Sequence, residues 1–233
     1  MFFVVKWQRV AFVLMLILLA ESGLCAWLVF DAKEVQPAMQ RTYTVVVDAG
    51  HGGIDGGVVA ADGTKESDLN LQYALTLGEM LDNCGFNVVY TRKNKGGLYG
   101  APTNGFKSRD MRARKNIVTN CNPSIVVSIH MNKYVGSSVR QGPQVFYQKG
   151  YEQGKIFAEC MQQVLNDFTF NTFSALAGDY YMCREMPCPS IICECGFLSS
   201  PQETALLKTT EYRNDLCKEL LRGIVYYLSM QEK

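Results

Sequence analysis

Val45 to Gly57 reads VVVDAGHGGIDGG, an apolar strand that runs straight into a glycine-rich loop with a histidine inside it. The chain of 233 residues has only two histidines, so an imidazole on so thin a loop calls for a role. The glycines allow two. Their N–H groups could cradle a phosphate, or their bareness could let a metal and a bulky ligand approach the main chain.

Outward from this stretch, strand and helix patterns alternate. YTVVVD (Tyr43 to Asp48), NVVYTR (Asn87 to Arg92), IVVSIH (Ile125 to His130), PQVFYQ (Pro143 to Gln148), DYYMCR (Asp179 to Arg184) and SIICEC (Ser190 to Cys195) read as strands. Leu69, Tyr73, Leu77 and Leu81 recur every four residues on a helix that ends near Gly85, and Arg109 to Cys121 reads as a helix bearing several arginines. Ile156, Phe157, Cys160, Met161, Val164, Leu165 and Phe168 share a face of a further helix, as do Leu216, Leu220, Ile224 and Leu228 near the end of the chain. Lys93 to Phe106 is a glycine-rich loop. This order predicts one α/β domain over residues 42–233, with a twisted, largely parallel sheet covered by helices on both faces. Ligands of such sheets bind outside the carboxyl ends of the strands.

Net charge is +1 and no long run of one sign occurs, which excludes a nucleic-acid footprint. Residues 1–30 stand apart. Lys6 and Arg9 precede an apolar run from Val10 to Phe30 whose single charge is Glu21, which predicts a membrane anchor with the domain on the extracytoplasmic side. The competing reading takes Val10 to Ala20 as the apolar part of a cleaved signal peptide, with a small-residue site near Ala26. Either exports the domain. Residues 31–41, polar and containing Pro37, read as a short linker. The nine cysteines are odd in number and form no CxxC pair, so they read as reduced, buried thiols.

His51 lies three residues past one expected strand and His130 closes another, so both belong at the same edge of the sheet. Two converging histidines suggest a metal, although a histidine at a strand end can also be simply hydrogen-bonded. An acid would complete the set. Asp48, Asp55, Asp62, Glu66 and Asp68 are the nearby candidates, and Glu66 ranks slightly ahead because the first turn of a helix favours an anion. Glu194 is the odder acid. It interrupts an apolar strand, where a lone carboxylate costs several kcal/mol, roughly, unless paired or set at the lip of a cavity. Alternation places it with Ile192 and puts Cys193 and Cys195 on the other face, so it reads as a functional carboxylate. No GK[ST] follows the glycines and no HExxH occurs, which excludes a P-loop and a protease helix of that type. Cys193 or Cys195 could pair with His130 without metal, but neither has a neighbour that would lower its pKa.

The blocks DAGHGGIDGG, KESDLNL, SIHMN and CECGFLSSPQE, in order over about residues 43–229, resemble the signature blocks of the zinc-dependent N-acetylmuramoyl-L-alanine amidases, the amidase-3 type of bacterial cell-wall hydrolase. The resemblance implies that His51, Glu66 and His130 hold Zn²⁺ and that Glu194 is the catalytic acid/base, with peptidoglycan as substrate. The chain departs from the pattern at Met131, where a small residue is usual, at the cysteines flanking Glu194, and at Ala49, where proline is frequent. None of these replaces a polar group the mechanism needs. Arg114 matches a recurrent family arginine, which a structural salt bridge would also explain. One catalytic domain behind a membrane segment resembles the sporulation-associated, cortex-modifying amidases of the CwlD type, which act ahead of muramic-δ-lactam formation. The alternatives are a general wall amidase of growth or division, a zinc peptidase of the stem peptide, and a silent peptidoglycan-binding module. The need for an activating protein partner stays open.

Overall fold

The structure is a computed structural model that describes residues 43–136 and 139–231, so the expected anchor or signal segment and the linker lie outside the described residues. Among the described residues six strands form one sheet in the order β2-β1-β3-β6-β4-β5: β1 (Thr44–Ala49), β2 (Asn87–Tyr90), β3 (Ile125–Asn132), β4 (Gln144–Gln148), β5 (Leu176–Gly178) and β6 (Ser190–Phe197). Every pairing is parallel except β4 with β6, which makes the sheet mixed and mostly parallel.

The period of two along the central strands sorts their side chains onto two packed faces. Val45, Val47, Ile125, Val127, Ile191 and Cys193 bury against α1 (Glu66–Asn83), α3 (Glu152–Thr169) and α6 (Thr210–Met230). The residues expected at intervals of four on α1 and α6 are all in this core. Val46 and Val126 face the other way, onto Val118 of α2 (Phe106–Cys121) and Met182 of α4 (Tyr181–Arg184). Helices therefore cover both faces.

DYYMCR, expected as a strand, is a correction: Tyr181–Arg184 is the short helix α4. Met182 and Cys183 are both buried, and two consecutive buried residues suit a helical turn rather than an alternating strand. A further helix, α5 (Pro201–Leu207), begins at Ser200, whose hydroxyl accepts from the Glu203 N–H, with proline at its start.

One register fixes the working edge. His130 on β3 lies directly beside Glu194 on β6, and Asp48 on β1 lies beside Ser128 on β3. Near the other side of β6, Gln162 of α3 serves β4 with its amide. Its oxygen accepts from the Val145 N–H at 2.8 Å, and its nitrogen donates to the Pro143 carbonyl at 3.1 Å.

Beneath the working edge Arg114 is wholly buried. It donates to Asp48 at 2.5 Å and to Asp110 at 2.6 Å. Burial alone would raise the Asp48 carboxyl, but Arg114 and the Ser128 and Thr91 hydroxyls outweigh it and hold the pKa at about 2. A carboxyl depressed below its ordinary 3.8 adds stability that is complete at neutral pH and is lost as pH falls from about 4 through about 2. Replacing it leaves Arg114 short of one partner. Asp48→Asn is expected to lower stability at pH 7 by about 3 kcal/mol and to flatten the acid limb below pH 4, read by urea melts across pH.

Candidate metal centre and its cleft

The loop after β1 departs from ordinary backbone at once. His51 has φ +59°, a left-handed value uncommon outside glycine, and Gly52 and Gly53 follow at +140° and +62°. Two arginines hold it. Arg114 donates to the carbonyls of Ala49 at 2.7 Å and His51 at 2.5 Å, while Arg92 donates to those of Ala49 and Gly50, each at 2.9 Å. Arg92 also reaches the carbonyls of Ser67 and Asn94, which ties the His51 loop to the first turn of α1. Asn70 repeats that link, donating to the Gly50 carbonyl and to Glu66.

Side chains cannot be added in this frame. A Cβ on Gly50 would lie 2.3 Å from the His130 ring, and one on Gly57 would lie 2.4 Å from the Glu66 carboxylate. The glycines thus allow close approach as well as bending.

Glu66, at the start of α1, is almost fully buried, and its Oε1 lies 3.2 Å from His51 Nε2 and 2.9 Å from His130 Nδ1. One atom from each of the three residues falls within 4.8 Å of the others. Two imidazole nitrogens and a carboxylate oxygen turned toward one point are a donor set that fits a divalent zinc-type cation with an open position. Burial would raise the Glu66 carboxyl, yet the two imidazoles hold it well below its ordinary value. Its second oxygen accepts from the Val58 N–H at 2.8 Å.

The remaining nearby acids are employed elsewhere. Asp48 is committed to Arg114, Asp62 pairs with Lys208 at 2.8 Å, and Asp68 lies 3.8 Å from Lys95. Asp55 has a different part, with its Oδ1 at 3.1 Å from His51 Nδ1. A carboxylate on one ring nitrogen fixes the proton there and frees the other nitrogen as a donor, the usual support of a metal-binding histidine. Sequence reasoning grouped Asp55 with the possible ligands. Only its four-residue spacing from His51 hinted at contact.

Glu194 is partly buried beside His130, and its Oε2 has no hydrogen-bond partner among the described residues. Burial pushes its pKa up to about 7, against the pull of the His130 imidazole. An orphaned carboxylate oxygen beside a donor triad is poised for a ligand or a proton. Cys193 and Cys195, by contrast, lie in the core on the other face with their thiols pushed up by burial, which removes the Cys/His alternative.

A cavity of about 220 Å³ opens next to the histidines, with Tyr99 and Phe106 contributing one part of its wall and Tyr180, Tyr181 and Met182 another.

The description N-acetylmuramoyl-L-alanine amidase belongs to the family profile that matches residues 45–226. The germination-specific N-acetylmuramoyl-L-alanine amidase of Bacillus subtilis is 30% identical over 191 residues, covering 79% of each chain. Among solved structures, the CwlD amidase from Clostridioides difficile, in complex with the GerS lipoprotein, superposes with a TM-score of 0.77 at 34% identity, covering 81% of this chain and 99% of that one. An N-acetylmuramoyl-L-alanine amidase from Clostridium difficile 630 gives 0.73 at 26% identity, covering 81% and 97%. The chain therefore belongs to the N-acetylmuramoyl-L-alanine amidase family and is an enzyme of peptidoglycan hydrolysis.

Proposed function

We propose that this amidase is zinc-dependent, with His51, Glu66 and His130 as ligands and Glu194 as the group that moves the proton. The observation that carries the reading is the meeting of the three donors within 4.8 Å, with the unpartnered Glu194 oxygen on the adjacent strand. Zinc bound there would supply Lewis acidity, lowering the pKa of water and polarising a carbonyl.

The protein's own groups do the rest. Glu194, as carboxylate, accepts the proton of the attacking water and returns it to the alanine nitrogen as the amide C–N bond breaks. The products are the muramoyl carboxylate and a free L-alanine amine. Such a shuttle contributes roughly 10²- to 10⁴-fold in rate. Asp55 holds His51 in one tautomer, and the arginine-bound loop holds the imidazole in place.

Spore cortex peptidoglycan is the proposed substrate. Support comes from the germination-specific relative in Bacillus subtilis and from the likeness to CwlD. The lipoprotein bound to that CwlD supports a protein partner here as well. No helix among the described residues is long and apolar enough to cross a membrane, so the proposed extracytoplasmic anchor rests on residues 10–30.

His51→Ala is expected to abolish both zinc binding and turnover, whereas Glu194→Gln should retain the metal and lose at least about 100-fold in kcat. Metal content by atomic emission and rates on purified peptidoglycan read both, and a Glu194→Gln enzyme with full activity would remove the proposed base. Mass spectrometry of the digest should show new L-alanine amino termini on intact glycan. Cleavage within the stem peptide would instead reveal a peptidase.

Asp55→Ala should weaken zinc binding about 10- to 100-fold while the domain stays folded, measured by competition with a chromogenic chelator. An unchanged affinity would show that His51 needs no orienting carboxylate.

A further inference from the structure

The cavity beside the histidines has a lining unlike that of an acidic-peptide site. Tyr99, Phe106, Tyr180 and Tyr181 are half-buried and present ring surface to it. Tyr99 and Phe106 meet edge to face at 5.4 Å, and Tyr180 rests in the same manner on Phe146 at 5.2 Å, so the rings are braced from behind.

Polar groups in the lining are mostly spent. Arg114 gives its donors to Asp48, Asp110 and the Ala49 and His51 carbonyls. Asp110 also accepts from the Leu98 N–H. Lys107 is the remaining cation of the wall, and it lies 3.7 Å from Asp55. Phenol hydroxyls complete the set. Tyr99 accepts from the Ile54 N–H at 2.7 Å and keeps its own proton to donate, while the hydroxyls of Tyr180 and Tyr181 have no partner among the described residues. His51 and His130 line the same cavity, so it opens onto the donor set.

Rings with a few hydroxyls and no spare positive charge suit a neutral ligand that has apolar faces and hydroxyl edges. The family's bond joins a muramoyl group, an N-acetylated sugar carrying a lactyl acyl arm, to an amino acid. We infer that this cleft is the glycan subsite, in which the N-acetylated pyranose packs its C–H face on the aromatic wall and so delivers its lactyl carbonyl beside the histidines. The inference rests on the amidase reading and adds where the sugar goes. Binding energy gained at the sugar, away from the reacting bond, then serves to orient the amide.

Two substrates with the same amide bond test it on the zinc-loaded full chain: an N-acetylmuramoyl peptide, and its lactoyl counterpart lacking the pyranose. The native enzyme should favour the first. Phe106→Ala should reduce kcat/KM on the muramoyl peptide at least about tenfold more than on the lactoyl peptide, and Phe106→Tyr should retain the native ratio. Equal losses on both substrates would overturn the proposal. A second arm needs no turnover: a peptide-free N-acetylglucosaminyl-N-acetylmuramic acid disaccharide should shift the Met111 and Met182 methyl resonances in NMR, and the absence of any shift would overturn it too. If the native chain cleaves neither substrate, the amidase reading fails, and the disaccharide arm alone decides the cleft.

Discussion

Three consecutive carbonyls, those of Ala49, Gly50 and His51, are gripped by two buried guanidinium groups, and the geometry of the centre follows from that grip. A left-handed histidine costs on the order of 1 kcal/mol or more and persists only where its surroundings over-determine it. Hydrogen bonds to charged donors, at roughly 1.5–3 kcal/mol each, are enough to do so. The two arginines meet their burial cost differently. Arg114 is neutralised by Asp48 and Asp110, whereas Arg92 has no ion pair among the described residues and spreads its charge over four carbonyls. Burial and the repulsion of Arg114 lower Arg92 to about 10, which still leaves it charged at neutral pH.

The strands that carry the centre were legible because parallel strands buried on both faces are continuous apolar runs bounded by turns, as VVVD, IVVSIH and SIICEC are. Both histidines and Glu194 announced themselves by interrupting such runs or ending them. Glu66 did not. Its selection among five acids depended on the resemblance of a block, since helix-start carboxylates are ordinary and the contact with His51 spans a loop. DYYMCR misled because six residues of mixed polarity are too few for either period to show, and β5, three residues long, left no pattern at all. α5 carried a readable signal in SSPQE, where serine, proline and glutamate occupy the places of a capped first turn. The contact of Asp55 showed only as a four-residue spacing from His51, and Arg92 was beyond reach of the sequence. Their partners are a ring nitrogen and backbone carbonyls, and a carbonyl has no letter of its own.

The thiols follow the composition only in part, since Cys84 is exposed and Cys121 half-buried. All eight cysteines of the described residues are free, and those at 193, 195 and 217 fill the core between the sheet and α1 and α6. Flanking Glu194 with cysteine therefore alters the packing behind the carboxylate and leaves its polar side untouched. The same alternation that hides the two thiols turns Glu194 outward, so core and proposed base share one strand without sharing a face.

Gln162 shows how the far side of the sheet is closed. β5 pairs with β4 only from Phe146 to Gln148, so the outer edge of Pro143 to Val145 would otherwise present an open donor and an open acceptor. The amide of Gln162 occupies both, as a neighbouring strand would. A helix side chain thus stands in for a missing strand, and it denies a foreign chain the template on which edge-to-edge aggregation begins.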